Sequence, residues 1–401
     1  MFTPQKYLIK TLGCQANLAD SNTMAGILES LGLEEVKIIE DPVNESTALL
    51  KTLPEVDLFI INTCSVRQKS EDKAYGVGKI FKKLKDNGIK TPHVVMAGCM
   101  VGSATGQRQR FEFEQLKKKT PWVDTYINPT QIFDLPNVLN EKKVLSEWAV
   151  KKFDPNGIYN KQVEKKRAFV NISNGCDNFC TFCVVPYARG KEVSRSSEEI
   201  LKEISHLTMR GITEVTLCGQ NVNSWGLTVS EKFKLRTGSN QKLPFAKLLR
   251  EIHEIPEITK IDFISSNPFD FTNDLIEAIK LPKISNYMHI AVQSGNNEVL
   301  KNMNRRHTIE DFTDLIEKIK LAKPGVEIGT DLIVGFPGET DAQFRDTVEL
   351  VKRIKFNVAF IAMYSPRKGT FADKELKDDV TRDEKKSRHD ILTKAWKESL
   401  K

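Results

Sequence analysis

The sequence predicts an α/β protein in which an N-terminal Rossmann-like open parallel sheet precedes a partial (β/α)6 barrel. Short apolar runs alternate with amphipathic stretches along nearly all of the 401 residues, and strands that alternate with helices are typical of parallel sheets. A polar segment at 141–167 interrupts the alternation. The chain length fits roughly two to three domains, so this segment is predicted to be a linker between them.

Composition limits the function classes. The chain has 60 basic and 53 acidic residues and a net charge of +7, which permits a polyanionic partner. Its apolar runs, such as Leu58–Ile61, are too short to span a membrane, and we expect no signal peptide because the first strand follows Met1 almost directly. Seven cysteines in scattered and CxxxCxxC placements argue against a disulfide framework. We therefore expect a cytoplasmic protein that uses thiolates to bind metal.

The first domain is predicted to cover residues 1–140, with strands at 7–12, 57–63 and 93–97. Each strand precedes a helical stretch, and Asp20 and Ser21 are predicted to cap the first helix, which ends near Leu31. The alternation predicts an open parallel sheet.

Each of these three strands is followed closely by a cysteine: Cys14, Cys64 and Cys99. A single free cysteine is more often a buried apolar residue. The carboxyl ends of parallel strands, however, form the edge at which open α/β sheets bind ligands. The common placement favours a three-thiolate metal site.

The second domain, residues 168–365, is predicted to contain six strands and five intervening helices. The strands are expected at 168–173, 214–217, 258–264, 287–292, 326–334 and 357–363. Six strands are too few for a closed eight-stranded barrel and suit a partial barrel that is open to a large substrate. Residues 366–401 are predicted to be a charged tail with one helix at about 384–400.

Cys176, Cys180 and Cys183 form a CxxxCxxC motif in the loop after the first barrel strand. Thiolates suit iron–sulfur clusters, zinc or copper. Structural zinc sites usually pair one CxxC with another or with histidines, and no such pair is present. Three cysteines leave one iron of a four-iron cluster without a protein ligand, so the motif predicts a reactive cluster.

Seven strings in order along the chain resemble the methylthiotransferase family of radical S-adenosylmethionine (SAM) enzymes. They are TLGCQAN, INTCSVR, AGCM, NGCDNFCTFCVVPYARGKEVSR, GQNVNSWG, VQSGNNEVLKNMNRRHT and GFPGET. The resemblance is greatest to members that methylthiolate C2 of N6-isopentenyladenosine beside the anticodon of tRNA. Sister enzymes act on threonylcarbamoyladenosine in tRNA or on a ribosomal-protein aspartate, and the cluster cysteines do not separate these targets.

The resemblance implies SAM and two [4Fe–4S] clusters as cofactors. Cys176, Cys180 and Cys183 would bind the cluster that cleaves SAM. The auxiliary cluster would be bound by the first domain's three cysteines, Cys14, Cys64 and Cys99.

Further residues follow from their places beside these motifs and at strand ends. Phe182, between two cysteines, is expected to pack against the adenine of SAM. Bound SAM is also expected to be reached by five residues at barrel strand ends: Gly219, Gln220, Asn221, Gln293 and Ser294. Arg189 and Arg195 are candidates for contact with the SAM carboxylate or RNA phosphate. Cys218, inside a strand, is expected to be a core residue.

The implied partners are tRNA and a reducing electron donor such as flavodoxin or ferredoxin, with no membrane and a monomeric enzyme. Family members usually end in a small RNA-binding domain of the TRAM type, which we expect this chain to lack. Phosphate contacts are then expected from clustered basic residues: Lys82, Lys83, Lys85, Lys117, Lys118, Lys119, Lys232, Lys234 and Arg236. A different class of function, a non-catalytic iron–sulfur protein that binds RNA or transfers electrons, is the alternative.

Overall fold

A computed structural model describes residues 5–38, 45–154, 157–161 and 166–400. The chain forms two compact units. The first comprises residues 1–165 and 184–191, and the second comprises residues 166–183 and 192–401. The segment that directly follows Cys183 thus belongs to the first unit. Residues 155–156 and 162–165 of the predicted linker lie outside the described part of the chain.

The first unit contains a five-stranded parallel sheet in the order β2-β1-β3-β4-β5, as the sequence predicts for its fold class. The strands are β1 (Lys6–Leu12), β2 (Glu34–Glu35), β3 (Leu58–Thr63), β4 (His93–Gly98) and β5 (Thr125–Ile127). Every residue of the central strand β3 is buried. Parallel strands that are covered on both faces read as continuous apolar runs, which is why this strand is easily recognised in the sequence.

Helices cover both faces of this sheet and enclose two apolar clusters. They are α1 (Gln15–Ser30), α2 (Glu45–Thr52), α3 (Gln68–Asp86), α4 (Cys99–Thr105), α5 (Phe113–Lys119), α6 (Leu135–Glu141), α7 (Glu147–Lys152) and α8 (Val185–Ala188). Short 3-10 turns lie at Leu53–Glu55 and Pro129–Asp134.

The predicted start of α1 is wrong. The helix begins at Gln15, with Cys14 in the N-cap position, so Asp20 and Ser21 lie inside it and are buried. The Ser21 hydroxyl hydrogen-bonds Thr11 Oγ1 at 2.7 Å, and therefore this polar side chain joins helix to sheet instead of capping the helix.

The second unit contains the six predicted parallel strands in two three-stranded sheets, ordered β6-β9-β10 and β11-β12-β13. These are β6 (Arg167–Asn171), β9 (Glu214–Cys218), β10 (Lys260–Phe263), β11 (Tyr287–His289), β12 (Glu327–Val334) and β13 (Val358–Met363), while β7 (Ser173–Asn174) and β8 (Val193–Ser194) form a short antiparallel pair. Two single bridges, Ile261 to Ile284 and Ser266 to Ile290, join the halves. With these bridges β10 lies beside β11, and within the described residues β6 and β13 are left as the outer edges of a partial barrel.

Helices alternate with these strands. They are α9 (Ser197–Thr208), α10 (Val229–Lys234), α11 (Pro244–His253), α12 (Asn273–Ala278), α13 (Asn297–Asn302), α14 (Ile309–Ala322), α15 (Asp341–Ile354), α16 (Phe371–Glu375) and α17 (Arg382–Ser399). Short 3-10 turns lie at Val222–Ser224 and Pro268–Asp270. Capping boxes at Ser196, Thr308 and Thr340 fix the starts of three of these helices.

The C-terminal helix α17 packs against the barrel within the second unit. Trp396 Nε1 donates to the carbonyl of Phe356 at 2.7 Å, and Arg388 pairs with Glu339 in the turn after β12. The part of the chain described here has no helix with the length and apolar character needed to cross a membrane.

Candidate functional site: two thiolate triads

The sheet register of the first unit brings its three cysteines to one edge. Leu12 of β1 lies opposite Thr63 of β3, and Thr63 lies opposite Gly98 of β4. Cys14, Cys64 and Cys99 follow these residues by one or two positions. The carboxyl-end placement expected from the sequence is therefore present, and we refer to these residues as the first-unit triad.

The thiols of Cys64 and Cys99 share a hydrogen bond. The Cys99 sulfur accepts this bond and lies near the Arg189 guanidinium. Both effects lower the pKa of Cys99, which is about 6 although burial acts in the opposite direction. The Cys64 thiol donates the bond, and this bond together with burial raises the pKa of Cys64. Of these two thiols Cys99 therefore ionises more readily, as a metal ligand must.

Side chains beside the cysteines hold the strand-end turns. Asn17 Nδ2 donates to Asn62 Oδ1 at 3.2 Å and to the carbonyl of Thr63 at 3.1 Å. Gly98 has φ +92°, and a Cβ there would lie 2.4 Å from Asn62 Oδ1 and from the Thr63 carbonyl. Only glycine fits this approach, which gives a structural reason for residues that surround the cysteines in TLGCQAN, INTCSVR and AGCM.

The donor chemistry fits an iron–sulfur cluster. Within the described ranges no three His, Cys, Asp or Glu side chains stand close enough to hold a single metal ion. A [4Fe–4S] cluster does not require such closeness, because each cysteine binds a different iron and the ligands stand further apart. Three thiolates are one ligand short of a closed tetrahedral zinc site, whereas a four-iron cluster that keeps one iron open needs three.

The second triad, Cys176, Cys180 and Cys183, occupies the loop after β7. Cys176 is buried, which raises its pKa, although Lys232 acts in the opposite direction. The Cys183 N–H donates to the Cys180 carbonyl at 2.9 Å and closes a tight turn. Cys180 and Cys183 are half-buried, so both residues remain partly accessible to a bound group.

The segment after α13 binds this loop. The Thr181 N–H donates to the carbonyl of Met303 at 3.1 Å, and Thr181 Oγ1 donates to the carbonyl of Asn302 at 2.9 Å. Asn304 Nδ2 donates to the carbonyl of Phe179 at 3.0 Å. The cysteine loop therefore takes its shape from the run NMNRRHT as well as from its own sequence.

Arg305, the next residue, contacts a thiol directly. Its Nη1 lies 3.5 Å from Cys180 Sγ, and its Nη2 donates to the carbonyl of Ala291 at 2.6 Å. The guanidinium lies over the Phe269 ring, 5.0 Å from its centroid, and Arg305 is 8% exposed.

Two ion pairs, each with at least one buried side chain, lie in the same unit. Lys232 Nζ donates to Glu192 Oε2 at 2.5 Å, and Arg306 Nη2 donates to Asp270 Oδ1 at 2.9 Å. Lys232 is only 2% exposed, so the prediction that it contacts RNA phosphate is wrong: its charge is neutralised inside the protein. The other predicted phosphate-binding residues, such as Lys234 and Arg236, are exposed.

Several predicted cofactor-binding residues lie at strand ends of the barrel. Gln220 Oε1 accepts from the Gly175 N–H at 2.6 Å, which links β9 to the cysteine loop. Asn221 Nδ2 donates to Asp270 Oδ2 at 2.5 Å, while Asn221 Oδ1 is buried and has no hydrogen-bond partner among the described residues. A Cβ on Gly219 would lie 2.5 Å from Ser173 Oγ.

The remaining predicted cofactor residues have mainly protein neighbours. The Phe182 ring packs edge-on against Phe336 with centroids 6.4 Å apart. Ser294 Oγ accepts from the Asn296 N–H and lies 3.5 Å from Thr347 Oγ1. Gln293 adopts φ +77°, a left-handed conformation that is uncommon outside glycine. A role for any of them in binding SAM stays a prediction.

The two arginines predicted to bind substrate are each engaged by a carboxylate. Arg189 is 4% exposed, and its Nη2 donates to Asp20 Oδ2 at 2.6 Å inside the first unit. Arg195 Nη1 donates to Glu203 Oε2 at 2.6 Å in the second unit. Their role in substrate binding stays a prediction. Cys218 lies buried at the end of β9, as expected for a core residue.

Sequence reasoning missed Arg305, Asp270 and Arg306, and it missed the buried pairing of Lys232 with Glu192. For Arg305 and Arg306 the only signal was the run NMNRRHT, which contributes to the resemblance but contains no metal-ligand type in a recognisable spacing. It showed that the segment matters without showing what each residue contacts.

Two family models match the chain. Residues 6–128 match the "Uncharacterized protein family UPF0004", and residues 170–351 match the "Radical SAM superfamily". These ranges correspond to the sheet of the first unit and the barrel of the second.

Solved structures support the fold. The radical SAM methyltransferase TsrM from Kitasatospora setae superposes with a TM-score of 0.61 at 14% identity, covering 89% of this chain and 72% of TsrM. The cobalamin-dependent SAM radical enzyme OxsB gives a TM-score of 0.57 at 14% identity, covering 99% of this chain and 56% of OxsB.

Curated relatives are much more similar in sequence. The tRNA-2-methylthio-N(6)-dimethylallyladenosine synthase of Clostridium botulinum (strain Okra / Type B1) is 39% identical over 98% of this chain and 82% of its own length. The enzymes of the same name from Clostridium tetani and Moorella thermoacetica are each 38% identical, over 98% and 91% of this chain and 82% and 77% of their own lengths. With such identity across both units, this chain belongs to the radical SAM methylthiotransferase family, among the tRNA-2-methylthio-N(6)-dimethylallyladenosine synthases.

Proposed function

We propose that this radical SAM enzyme transfers a methylthio group to C2 of N6-isopentenyladenosine beside the anticodon of tRNA. The observation that carries the proposal is the presence of two thiolate triads, one at the carboxyl edge of the first sheet and one in the loop after β7. A radical-generating cluster alone would need only the second triad. The first-unit triad supplies the additional site that sulfur insertion requires.

The triads hold the two [4Fe–4S] clusters, with SAM at the second triad. Once bound, these cofactors supply the carbon-centred radical and the sulfur, which is chemistry that no side chain can provide at an unactivated aromatic C–H. The protein binds, orients and encloses them. The Asn302–Asn304 segment fixes the cysteine loop, and the strand ends of the barrel surround the substrate.

The tRNA is bound through its phosphates by exposed lysines. Lys82, Lys83 and Lys85 lie together near the end of α3, and Lys117 to Lys119 end α5. Phosphate contacts of this kind position RNA without reading its sequence and weaken with salt. The enzyme is a cytoplasmic monomer that receives electrons from flavodoxin or ferredoxin.

Iron and sulfide content tests the ligand assignment. Anaerobically reconstituted protein should hold about eight irons per chain, and the variant Cys14→Ala/Cys64→Ala/Cys99→Ala about four. Cys218→Ala is the matched control, because this buried cysteine belongs to neither triad, and it should keep about eight irons. About four irons in both wild type and triple variant would show that the first-unit cysteines bind no cluster.

The reaction is tested separately with reduced, loaded enzyme, SAM and purified tRNA. Deoxyadenosine formation together with a methylthio group on isopentenyladenosine, detected by mass spectrometry of digested tRNA, is expected. If tRNA with threonylcarbamoyladenosine is modified instead, the substrate assignment fails while the enzyme class stands. Absence of deoxyadenosine from loaded protein contradicts the enzyme class.

A further inference from the structure

Arg305 is a buried cation without a carboxylate partner. Among the residues that the structure describes, no Asp or Glu lies within ion-pair distance of its guanidinium, and its Nε is buried without any partner. The neighbouring Arg306 pairs with Asp270, and Arg189, which lies near Cys99 in the first unit, pairs with Asp20. Arg305 therefore differs from both.

An isolated buried charge costs several kcal/mol in real proteins. Such a charge is tolerated where a group of opposite charge compensates it. Among the described residues the hydrogen-bond partners of the Arg305 side chain are the Cys180 sulfur at 3.5 Å and the Ala291 carbonyl at 2.6 Å. Neither carries a negative charge while Cys180 is a neutral thiol, so the missing counter-charge belongs at the second triad.

We propose that Arg305 is the counter-charge of the cluster held by Cys176, Cys180 and Cys183, and that it raises the reduction potential of that cluster. A four-iron core bound by three thiolates is anionic and becomes more so on reduction. Both a nearby cation and an N–H···S hydrogen bond favour the reduced form, since net charge and hydrogen bonds to sulfur set these potentials. Arg305 acts through the cluster and is a positioning residue. This inference rests on the ligand assignment of the proposed function.

Arg189, near the first-unit triad, is paired differently from Arg305. At the first-unit triad Arg189 and Asp20 form a neutral pair, whereas at the second triad Arg305 has no carboxylate partner in the described part of the chain. The same residue type thus supplies a net charge at one site and almost none at the other. Electrostatics therefore favours placing the incoming electron at the radical-generating cluster.

The test is a potentiometric titration, followed by electron paramagnetic resonance, of full-length Cys14→Ala/Cys64→Ala/Cys99→Ala protein, which retains only the second triad. In this background Arg305→Met should lower the midpoint potential so that reduction becomes at least tenfold less favourable, about 59 mV for one electron. Arg305→Gln, which keeps a donor but no charge, should also lower it. Arg305→Lys, which keeps the charge, should stay close to the parent.

The matched control is Arg250→Met. Arg250 belongs to the same unit, pairs with Asp274 and contacts no thiol among the described residues, so its loss should leave the potential unchanged. Iron content is measured on every variant. If Arg305→Met loads no iron, the Gln and Lys variants decide, and equal potentials in that pair overturn the proposal.

Two further outcomes also overturn it. Arg305→Met with about four irons and an unchanged potential would show that the guanidinium does not influence the cluster. An unchanged potential together with at least tenfold weaker SAM binding would assign Arg305 to the SAM carboxylate instead. A parent protein without iron would show that the ligand assignment itself fails, which is a separate and recognisable result.

Discussion

Replacing Arg388 by Met is expected to loosen the C-terminal helix from the second unit. Arg388 Nη1 donates to Glu339 Oε2 at 2.9 Å and to the Glu339 carbonyl at 2.8 Å. The Glu339 side chain is fully buried, and its Oε2 also accepts from the Gly335 N–H at 2.7 Å. Burial raises the pKa of Glu339. Without Arg388, the carboxylate would lose the only cation with which it forms an ion pair in the described structure.

Breaking a buried pair by removing one partner costs about 3–5 kcal/mol, because the other charge stays buried. A unit of this size loses about 2–4 °C of Tm per kcal/mol. The expected decrease for Arg388→Met is therefore roughly 6–20 °C. Removing both partners should be milder, because Glu339→Gln leaves no charge and keeps an acceptor for the Gly335 N–H.

Calorimetric unfolding gives the Tm, and hydrogen exchange shows whether α17 loses protection first. Arg353→Met is the matched control. Its pair with Glu317 is exposed on both sides, at 64% and 68%, so its loss should cost no more than about 1 kcal/mol. The reasoning is refuted if Arg388→Met costs as little as this control, or if adding Glu339→Gln gives no recovery.

Three further predictions concern pH, metal loading and RNA. Burial lowers the pKa of His307 well below its ordinary 6.5, so the unfolded chain binds the proton first and stability is lost as pH falls below 6.5. The loss is about 1.4 kcal/mol per pH unit until the folded pKa is reached, and His307→Phe should abolish it in urea unfolding at pH 5 to 7. Gly98→Ala places a Cβ 2.4 Å from two oxygens and should leave about four irons per chain instead of about eight. Replacing Lys82, Lys83 and Lys85 by Ala should weaken tRNA binding and reduce its salt slope by about 2–3.

Each of these has a result that contradicts it. A His307→Phe protein whose stability follows the wild-type pH profile would remove the buried histidine as the cause. Full iron loading of the Gly98 variant would show that the strand-end turn can relax. For the tRNA test, alanine at Lys280, Lys318 and Lys352 is the control, because each is paired with a carboxylate three or four residues before it in the sequence. Equal salt slopes for the two triple variants would count against the α3 lysines.

Periodicity and capping explain how much of the fold the sequence predicts. The barrel helices begin close to the predicted residues because Ser196, Thr308 and Thr340 are N-caps with strong side-chain signals. The strands β2 and β5 escape prediction, since two and three residues are too few to show alternation. The start of α1 is missed because aspartate is a common N-cap residue, whereas Asp20 lies inside the helix in a buried ion pair.

In the candidate site, too, some residues are predictable from the sequence and others are not. The cysteines are found because thiolates in fixed spacing are chemically distinctive. The charged residues around the cysteines are not found in this way, since an arginine or lysine looks the same in sequence whether it is solvated or buried. Lys232 pairs with Glu192 forty residues away, and Arg189 pairs with Asp20 at a separation of 169 residues. No local pattern encodes contacts over such distances.

The run after α13 shows how non-ligand residues can control a cluster. Asn302 and Asn304 fix the backbone of the cysteine loop, Arg305 contacts the Cys180 sulfur, and Arg306 neutralises buried Asp270. These roles fall on successive residues of one turn, so the element that sets the shape of the loop also sets the charge beside it. Because geometry and electrostatics share this support, a substitution that preserves the loop while removing the Arg305 charge is the one change that separates them.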